Sequence, residues 1–322
     1  MKKILGIAGL LLFVCLVTAL CTDRFLTPVN LENLVRRSAL FGVISIGAAF
    51  AIVTSGIDLS IGSVICLVGC LLPWLLVEHG WPVWAALPAV LALSAVIGVV
   101  HGLLITRLSL QPFVVTLCGL LLYRGIARGI TADQTVGFGV EYEELKALGA
   151  GRLPREAELG IPMPCVYLAV VAVLSAVFLN RTIYGRYLRA LGRNEEAARF
   201  SGVDTARMTV LAYVLCAVLA GVGGVLFVLD VNSAQPSDFG NFYELYAIAG
   251  AVLGGCALRG GEVSVVGVLL GAAVMQVLRN SIRLIENIPQ QIEFAVIGGV
   301  ILAGVIVDEL VKRAAARRRS AA

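Results

Sequence analysis

The chain has 322 residues, 59% hydrophobic and only 14% charged, with 25 Lys and Arg against 21 Asp and Glu and a net charge of +4. Its mean hydropathy is +0.94. A soluble domain of this length carries more charge, and several runs approach the roughly 20 apolar residues that cross a bilayer, so the composition excludes a soluble globular fold.

The fold class expected is an all-α polytopic membrane protein, because open sheet leaves backbone groups unsatisfied in lipid and no alternating strand pattern recurs. The first segment, MKKILGIAGLLLFVCLVTALC, has a basic front and an apolar run. The run is long for a signal sequence, and Leu20 stands where a lipoprotein site wants a small residue, so an uncleaved first helix is expected. Ten spans are predicted in all: 4–21, 39–55, 61–77, 83–105, 112–130, 164–180, 208–230, 244–258, 263–279 and 289–307. The second has scope to begin earlier, near Asn33, and the eighth is short.

Basic residues set the orientation. With the N-terminus inside, Lys2, Lys3, Arg107, the six arginines between 181 and 207, Arg259 and the five basic residues of the tail all fall inside, fifteen of the 25. Segment 181–207 is then basic and cytoplasmic. Segment 131–163, with Glu141, Glu143, Glu144, Glu156 and Glu158, is acidic and external. The tail 308–322 reads as an inner-face lipid anchor and calls for no nucleic acid. Both termini are expected in the cytoplasm, with 1–322 forming one transmembrane domain.

The eight cysteines sit mostly in apolar runs (Cys15, Cys66, Cys70, Cys118, Cys216, Cys256), with no C-x-x-C pair and only two histidines, far apart. They read as packing residues, and no metal site is expected.

The third and ninth spans open on an echo. GIDLSI (56–61) and GGEVSV (260–265) pair Gly56 with Gly260, Asp58 with Glu262 and Ser60 with Ser264 at a constant offset. Either six residues match by chance, or spans 2–5 and 7–10 form a parallel repeat. Asp58 has two readings as well. A Gly followed by Asp-x-Ser before an apolar run is a helix entrance, where Asp58 or Ser60 accepts bonds from orphan amides and an acid favours the dipole. The alternative is an intramembrane carboxylate that binds a cation or relays protons.

Other polar residues in the spans are few: His101, Thr116, Arg124, Arg128, Gln276, Asn280 and Glu293. Gln276 and Asn280 share a helical face; with Thr116 they are candidates to line a pore, against inter-helix hydrogen bonding. Arg124 and Arg128 either snorkel, meet the acidic 141–144 cluster or face an external partner. His101, between Gly98 and Gly102, reads as a buried neutral side chain at a close helix contact. The patterns GIARG, GAVLG and GVLLG also point to close helix contacts, within the subunit or across a dimer.

Residues 184–207 read YGRYLRALGRNEEAARFSGVDTAR, too polar for a span. Leu188, Leu191, Ala197, Ala198 and Phe200 fit one side of short helices; a solvated basic loop is the alternative. Glu196-Ala197-Ala198 followed by Gly202 resembles the EAA-x-x-x-G pattern of bacterial ABC-importer permeases. The longer pattern, from Gly185-Arg186 through Ala190, Gly192 and Asn194 to Gly202, is similar to the sugar-type branch, which includes ribose, xylose, galactose and autoinducer-2 permeases. Ser55–Ser63 resembles that branch's GGIDLSVGS stretch, with Ser55 for the first Gly and Ile61 for Val. Leu253–Gly261 resembles LGGxxLxGG, and TLCGLLLYRGIARGIT resembles a further family stretch. The similarity runs from about residue 26 to 310, in order.

The resemblance implies a permease subunit of a sugar-type ABC importer in the bacterial cytoplasmic membrane. It implies a coupling helix carrying Arg193, Asn194, Glu196, Ala197, Ala198 and Gly202. Its partners are a cytoplasmic ATPase that binds ATP and Mg, a periplasmic substrate-binding protein, and a second permease chain, the same or related. Arg186, Arg189 and Arg193 either face acidic surface on the ATPase or, for Arg186 and Arg193, lipid headgroups. No GK[ST] occurs, so the chain carries no P-loop, no cofactor of its own is expected, and no hydrolase motif is present. The sequence alternatives are a secondary carrier using Asp58 or Glu293, a membrane enzyme or scaffold, and a branched-chain amino-acid permease, against which the GIDLS stretch argues.

Overall fold

The computed structural model describes residues 2–154, 160–285, 289–300, 302, 303 and 306. Twelve helices come in the order α1 (Lys2–Cys21), α2 (Pro28–Val53), α3 (Ile61–Pro73, continued by a π turn to Glu78), α4 (Val83–Arg107), α5 (Pro112–Ile130), α6 (Glu143–Ala150), α7 (Met163–Arg181), α8 (Ile183–Arg193), α9 (Glu195–Phe200), α10 (Thr205–Val231), α11 (Tyr243–Leu253) and α12 (Val265–Leu284). Residues 293–300 are helical too. Proline opens α2, α5 and α7 in the first turn, where its missing N–H leaves no intrahelical bond unmade.

Eight of these helices are long and apolar enough to cross a membrane: predicted spans one to seven and nine. α2 starts at Pro28, well before the expected 39. The eighth span is corrected. α11 has only 11 residues, stopped by Gly254-Gly255, where Gly255 takes φ +90°, so it is too short to cross alone. Of the tenth span, 293–300 is helical and much of the remainder lies outside the described residues, as does the tail 308–322.

α10 runs through the middle, packed on α4, α2 and α3, while α12 packs on α11, α2 and α1. α2, α3, α10 and α12 are mostly buried; α1, α4, α5 and α7 form the periphery and turn Leu12, Trp84, Leu121 and Leu174 outward. Such faces are at home against lipid tails. The α4–α10 crossing is as close as GVVHG suggests: a Cβ at Gly98 would stand 2.5 Å from Val214 Cα, and one at Gly102 2.5 Å from Val210 Cα. His101 between them is buried, its Nε2 2.8 Å from Tyr123 Oη. GAVLG and GVLLG pack against each other between α11 and α12, but a Cβ at Gly125 or Gly129 of GIARG would meet nothing within 4 Å among the described residues.

The bundle has two distinct ends. At one, the described part of 131–163 packs on the C-terminal end of α10 through α6. β1 (Val136–Gly137) pairs with β4 (Ser233–Ala234), β2 (Arg152–Leu153) pairs with β3 (Ile161–Pro162), and Arg36 reaches Asp230 at 3.3 Å. At the other end lie α8, α9 and the non-helical stretches 54–60 and 254–264.

Candidate coupling and gating site

The α8–α9 segment is two capped helices rather than a loop. Thr182 caps α8 by accepting the Gly185 N–H (3.2 Å), and Asn194 caps α9 by accepting the Ala197 N–H (2.9 Å). α9 ends in a Schellman arrangement. The Gly202 N–H donates to Arg199 O and the Val203 N–H to Ala198 O, with Gly202 at φ +82°. That conformation is where glycine is favoured, so Asn194 and Gly202 of the longer pattern are the two stops of one short helix. Leu188, Leu191 and Ala198 face inward as expected. Ala197 and Phe200 do not: Phe200 lies about 200° round the helix from Ala198 and is 83% exposed. Glu195, Glu196 and Arg193 are exposed beside it.

This segment rests on both helix breaks at once. Ser55, just past α2, donates its Oγ–H to Arg259 O (2.8 Å), with Gly192 O also in range at 3.2 Å. The Gly261 N–H donates to Val53 O at 2.9 Å. A Cβ on Gly192 would overlap Val53 O and stand 2.5 Å from Gly261 N. The residues just before the first echoed stretch therefore touch the start of the second, and the C-terminal end of α8 is wedged against both. Both follow a helix end and precede a helix start, α2 to α3 and α11 to α12. That alignment sets spans two and three against eight and nine, and so does not fall in register with repeat units of 2–5 and 7–10, which would set three against eight.

Ser55 has φ +65°, a left-handed conformation that explains why glycine suits this position. Its hydroxyl bonds offset the strain. Ser55→Ala keeps the strain and loses the bonds, whereas Ser55→Gly loses both. The expected order of melting temperature is therefore wild type and Ser55→Gly close together, with Ser55→Ala lower by about 1–2 kcal/mol in stability. A Ser55→Gly melting point as low as that of Ser55→Ala would contradict the assignment.

Asp58 sits deeper, 1% exposed. Its partner is not a base. Oδ1 accepts from the Ser60 N–H (2.8 Å) and the Ser60 Oγ–H (2.6 Å), fixing the turn into α3, while Oδ2 has no hydrogen-bond partner among the described residues. In the second stretch the cap falls to Ser264, which accepts the Gly267 N–H at 3.3 Å; Glu262 is exposed. Thr116 Oγ1 reaches Ile57 O (3.2 Å), so it braces the break from α5. Gly56 lies against the Tyr213 hydroxyl and has no room for a side chain.

Gln276 and Asn280 lie at the opposite end, so the three pore candidates do not come together. Asn280 exchanges hydrogen bonds with Asn30 of α2 (2.8 and 3.2 Å), which is the inter-helix role. Both also line a polar cleft of about 380 Å³ between α2, α10 and α12. Glu293 is held by Arg279 at 2.7 Å and by the Tyr246 hydroxyl at 3.0 Å, with Arg283 at 3.7 Å.

Two expectations for arginines are corrected. Arg124 neither snorkels nor meets residues 141–144; it turns inward to the carbonyls of Pro236, Ser237 and Phe239 at 3.1–3.3 Å, clamping the stretch before α11. A guanidinium is long enough to reach backbone that sequence separation hides. Arg128 pairs with Asp133 at 2.7 Å and holds that carboxyl below the usual carboxylate range. Sequence reading also missed Glu244, buried in the first turn of α11 against Gly62, and Gly192 as a contact point. The acid at the head of a short apolar run was the signal available for Glu244.

Buried broken helices, a lipid-compatible periphery and an exposed helical pair wedged into the breaks define a multi-pass permease of the cytoplasmic membrane. The sequence profile described as branched-chain amino acid transport system / permease component matches residues 30–305, and the chain belongs to that family. It is 36% identical to the ribose import permease protein of Escherichia coli (strain K12) over 306 residues, 94% of this chain and 92% of that one. It is 36% identical to the ribose import permease protein of Bacillus subtilis (strain 168) over 309 residues, 96% and 93% of the two chains. Against the D-allose transport system permease protein of E. coli (strain K12) it is 28% identical over 305 residues, 94% and 90%.

Proposed function

We propose that the chain is the membrane subunit of an ATP-driven importer that brings a sugar into the cytoplasm, with hydrolysis on a separate ATPase. The observation that carries this reading is the wedge of α8 against both helix breaks. A push on α8–α9 is delivered to the two stretches 54–60 and 254–264 together, which is what a lever from an external motor requires. The cytoplasm then lies on the α8–α9 side, both termini with it, and the 131–163 cap lies outside. The family description names branched-chain amino acids. The relatives named for ribose and allose, together with the GIDLS stretch, favour a sugar.

The partners are two copies of an ATPase, binding ATP and Mg, and a substrate-binding protein on the outer face. The second permease, the same chain or a relative, has an open glycine face on α5 at Gly125 and Gly129 to pack on. Phe200, flanked by Glu195, Glu196 and Arg199, is the anchor offered to the ATPase: an exposed aromatic knob on a rigid, doubly capped helix.

Reconstituted with its ATPase and binding protein, the permease should accumulate ribose or a related sugar only with ATP. Uptake by the permease alone under an ion gradient would instead favour a secondary carrier. Phe200→Ala should lower ATP-driven uptake by roughly tenfold or more, as loss of an interface anchor does, with little change in melting temperature because the side chain is 83% exposed. Glu196 and Gly202 variants should show hydrolysis without matching uptake. Wild-type uptake in the Phe200 variant would remove this residue from the docking surface.

A further inference from the structure

At the α8–α9 end of the bundle, on its periphery, a groove of about 350 Å³ runs between α4 and α10. The two helices are antiparallel and meet at small residues, with Gly98 against Val214 and Gly102 against Val210. One turn further along, Arg107 ends α4 and Arg207 stands in the first turn of α10, both in the groove's lining. The contacts at the helix breaks use none of these residues.

The groove changes character along its length. Leu103, Val210, Leu211 and Val214 form its walls, and Thr106 has committed its hydroxyl proton to Gly102 O at 2.7 Å, so the interior offers mainly hydrocarbon. From Arg207 to Val214 the rise is about 10 Å, enough to pass from the headgroup level into the acyl region. Leu103 is 42% exposed and Leu108, just past the end of α4, 63% exposed, so this face is open to lipid among the described residues.

Charge is confined to the mouth. Arg107 is exposed and pairs with no acid among the described residues. Arg207 spends its Nε on Asp204 Oδ2 at 2.9 Å and keeps the rest of its guanidinium in the open. Two guanidiniums against one carboxylate leave the mouth positive. A soluble anion gains nothing from the apolar walls, and a zwitterionic lipid carries its own ammonium to the same mouth. A lipid with a net negative headgroup matches both parts.

We propose that this groove is a binding site for an anionic phospholipid, one acyl chain lying against Val210 and Val214 and the phosphate held by Arg107 and Arg207. Only the assignment to the inner leaflet rests on the importer reading; lipid binding is measured without transport.

The test is native mass spectrometry of the full-length permease in neutral detergent, titrated with phosphatidylglycerol or phosphatidylcholine. Phosphatidylglycerol should fill a first site roughly fivefold more tightly, the effect of one uncompensated arginine at a membrane surface. Arg107→Gln should erase that preference. Arg181→Gln, at an exposed arginine that ends α7 on the same side, is the matched control and should keep it. Ala206→Phe, exposed and in the lining, puts a ring into the groove and should weaken phosphatidylglycerol roughly tenfold, as exclusion of about two methylenes does. Glycerol 3-phosphate, which brings the phosphate without the chains, should not compete. No lipid preference in the wild type overturns the proposal, as does unchanged binding in Ala206→Phe. Equal losses in Arg107→Gln and Arg181→Gln overturn it too, since they mark diffuse surface charge. Competition by glycerol 3-phosphate replaces the lipid with a soluble anion, and displacement of the lipid when the ATPase assembles assigns the surface to that subunit.

Discussion

A Gly192→Ala permease is expected to lose ATP-driven uptake almost completely. The added Cβ would overlap Val53 O and lie 2.5 Å from Gly261 N. Both neighbours are backbone, which has no rotamer to yield. Either α8 backs away from the helix breaks, or the Gly261 N–H to Val53 O bond (2.9 Å) opens. Overpacking of this kind costs about 1–3 kcal/mol, and a buried donor left unpaired adds about 1–3 kcal/mol more. Stability should fall by a few kcal/mol, yet insertion and the helix content should persist, because α2 and α12 do not depend on this contact for their packing on α10 and α11. Lost uptake with retained ATP hydrolysis by the assembled complex is the expected signature, since the lever then turns without moving the breaks. Gly6→Ala, where a Cβ meets nothing within 4 Å, is the matched control. Near-normal uptake in Gly192→Ala would mean that α8 does not drive the breaks through this contact.

What the sequence could show follows from which physical signals are local. Long apolar runs announced the eight crossing helices, three of which open on proline. α11 was misread as a full span because the apolar stretch 244–258 runs straight through Gly254-Gly255, and hydropathy does not register a left-handed glycine. The EAA-x-x-x-G pattern revealed α9, because its caps lie within nine residues. Its outward face was misassigned, since six residues are too few for periodicity to tell Ala198 from Phe200. Ser55, Gly192 and Arg259 come together from three remote parts of the chain, and no window contains them. Arg124 was legible as an unusual charge in a span, but its carbonyl partners lie more than a hundred residues away.

The second large effect separates two substitutions at one position. Asp58→Leu should lower stability by about 2–6 kcal/mol and sharply reduce the folded permease, while Asp58→Asn should retain uptake within roughly threefold and melt no lower than wild type. The Asp58 carboxylate accepts both the Ser60 N–H and the Ser60 hydroxyl through one oxygen, at 2.8 and 2.6 Å. Asparagine keeps that oxygen and forms the same turn readily. Leucine strands two donors in a fully buried turn, at about 1–3 kcal/mol each, against a total stability of about 5–15 kcal/mol. The loss falls where α3 begins and where α2 meets the coupling segment, so it is not confined to a loop. The other oxygen, Oδ2, has no hydrogen-bond partner among the described residues, and no described cation pairs with it. A charge in that position is poorly solvated, and replacing it with a neutral amide removes the penalty without removing the turn. An ion-carrying role predicts the opposite pattern for asparagine: normal folding, normal assembly with the ATPase, and no transport. Measuring the melting temperature, ATPase assembly and uptake of the two variants side by side therefore decides whether Asp58 shapes the helix entrance or handles a cation.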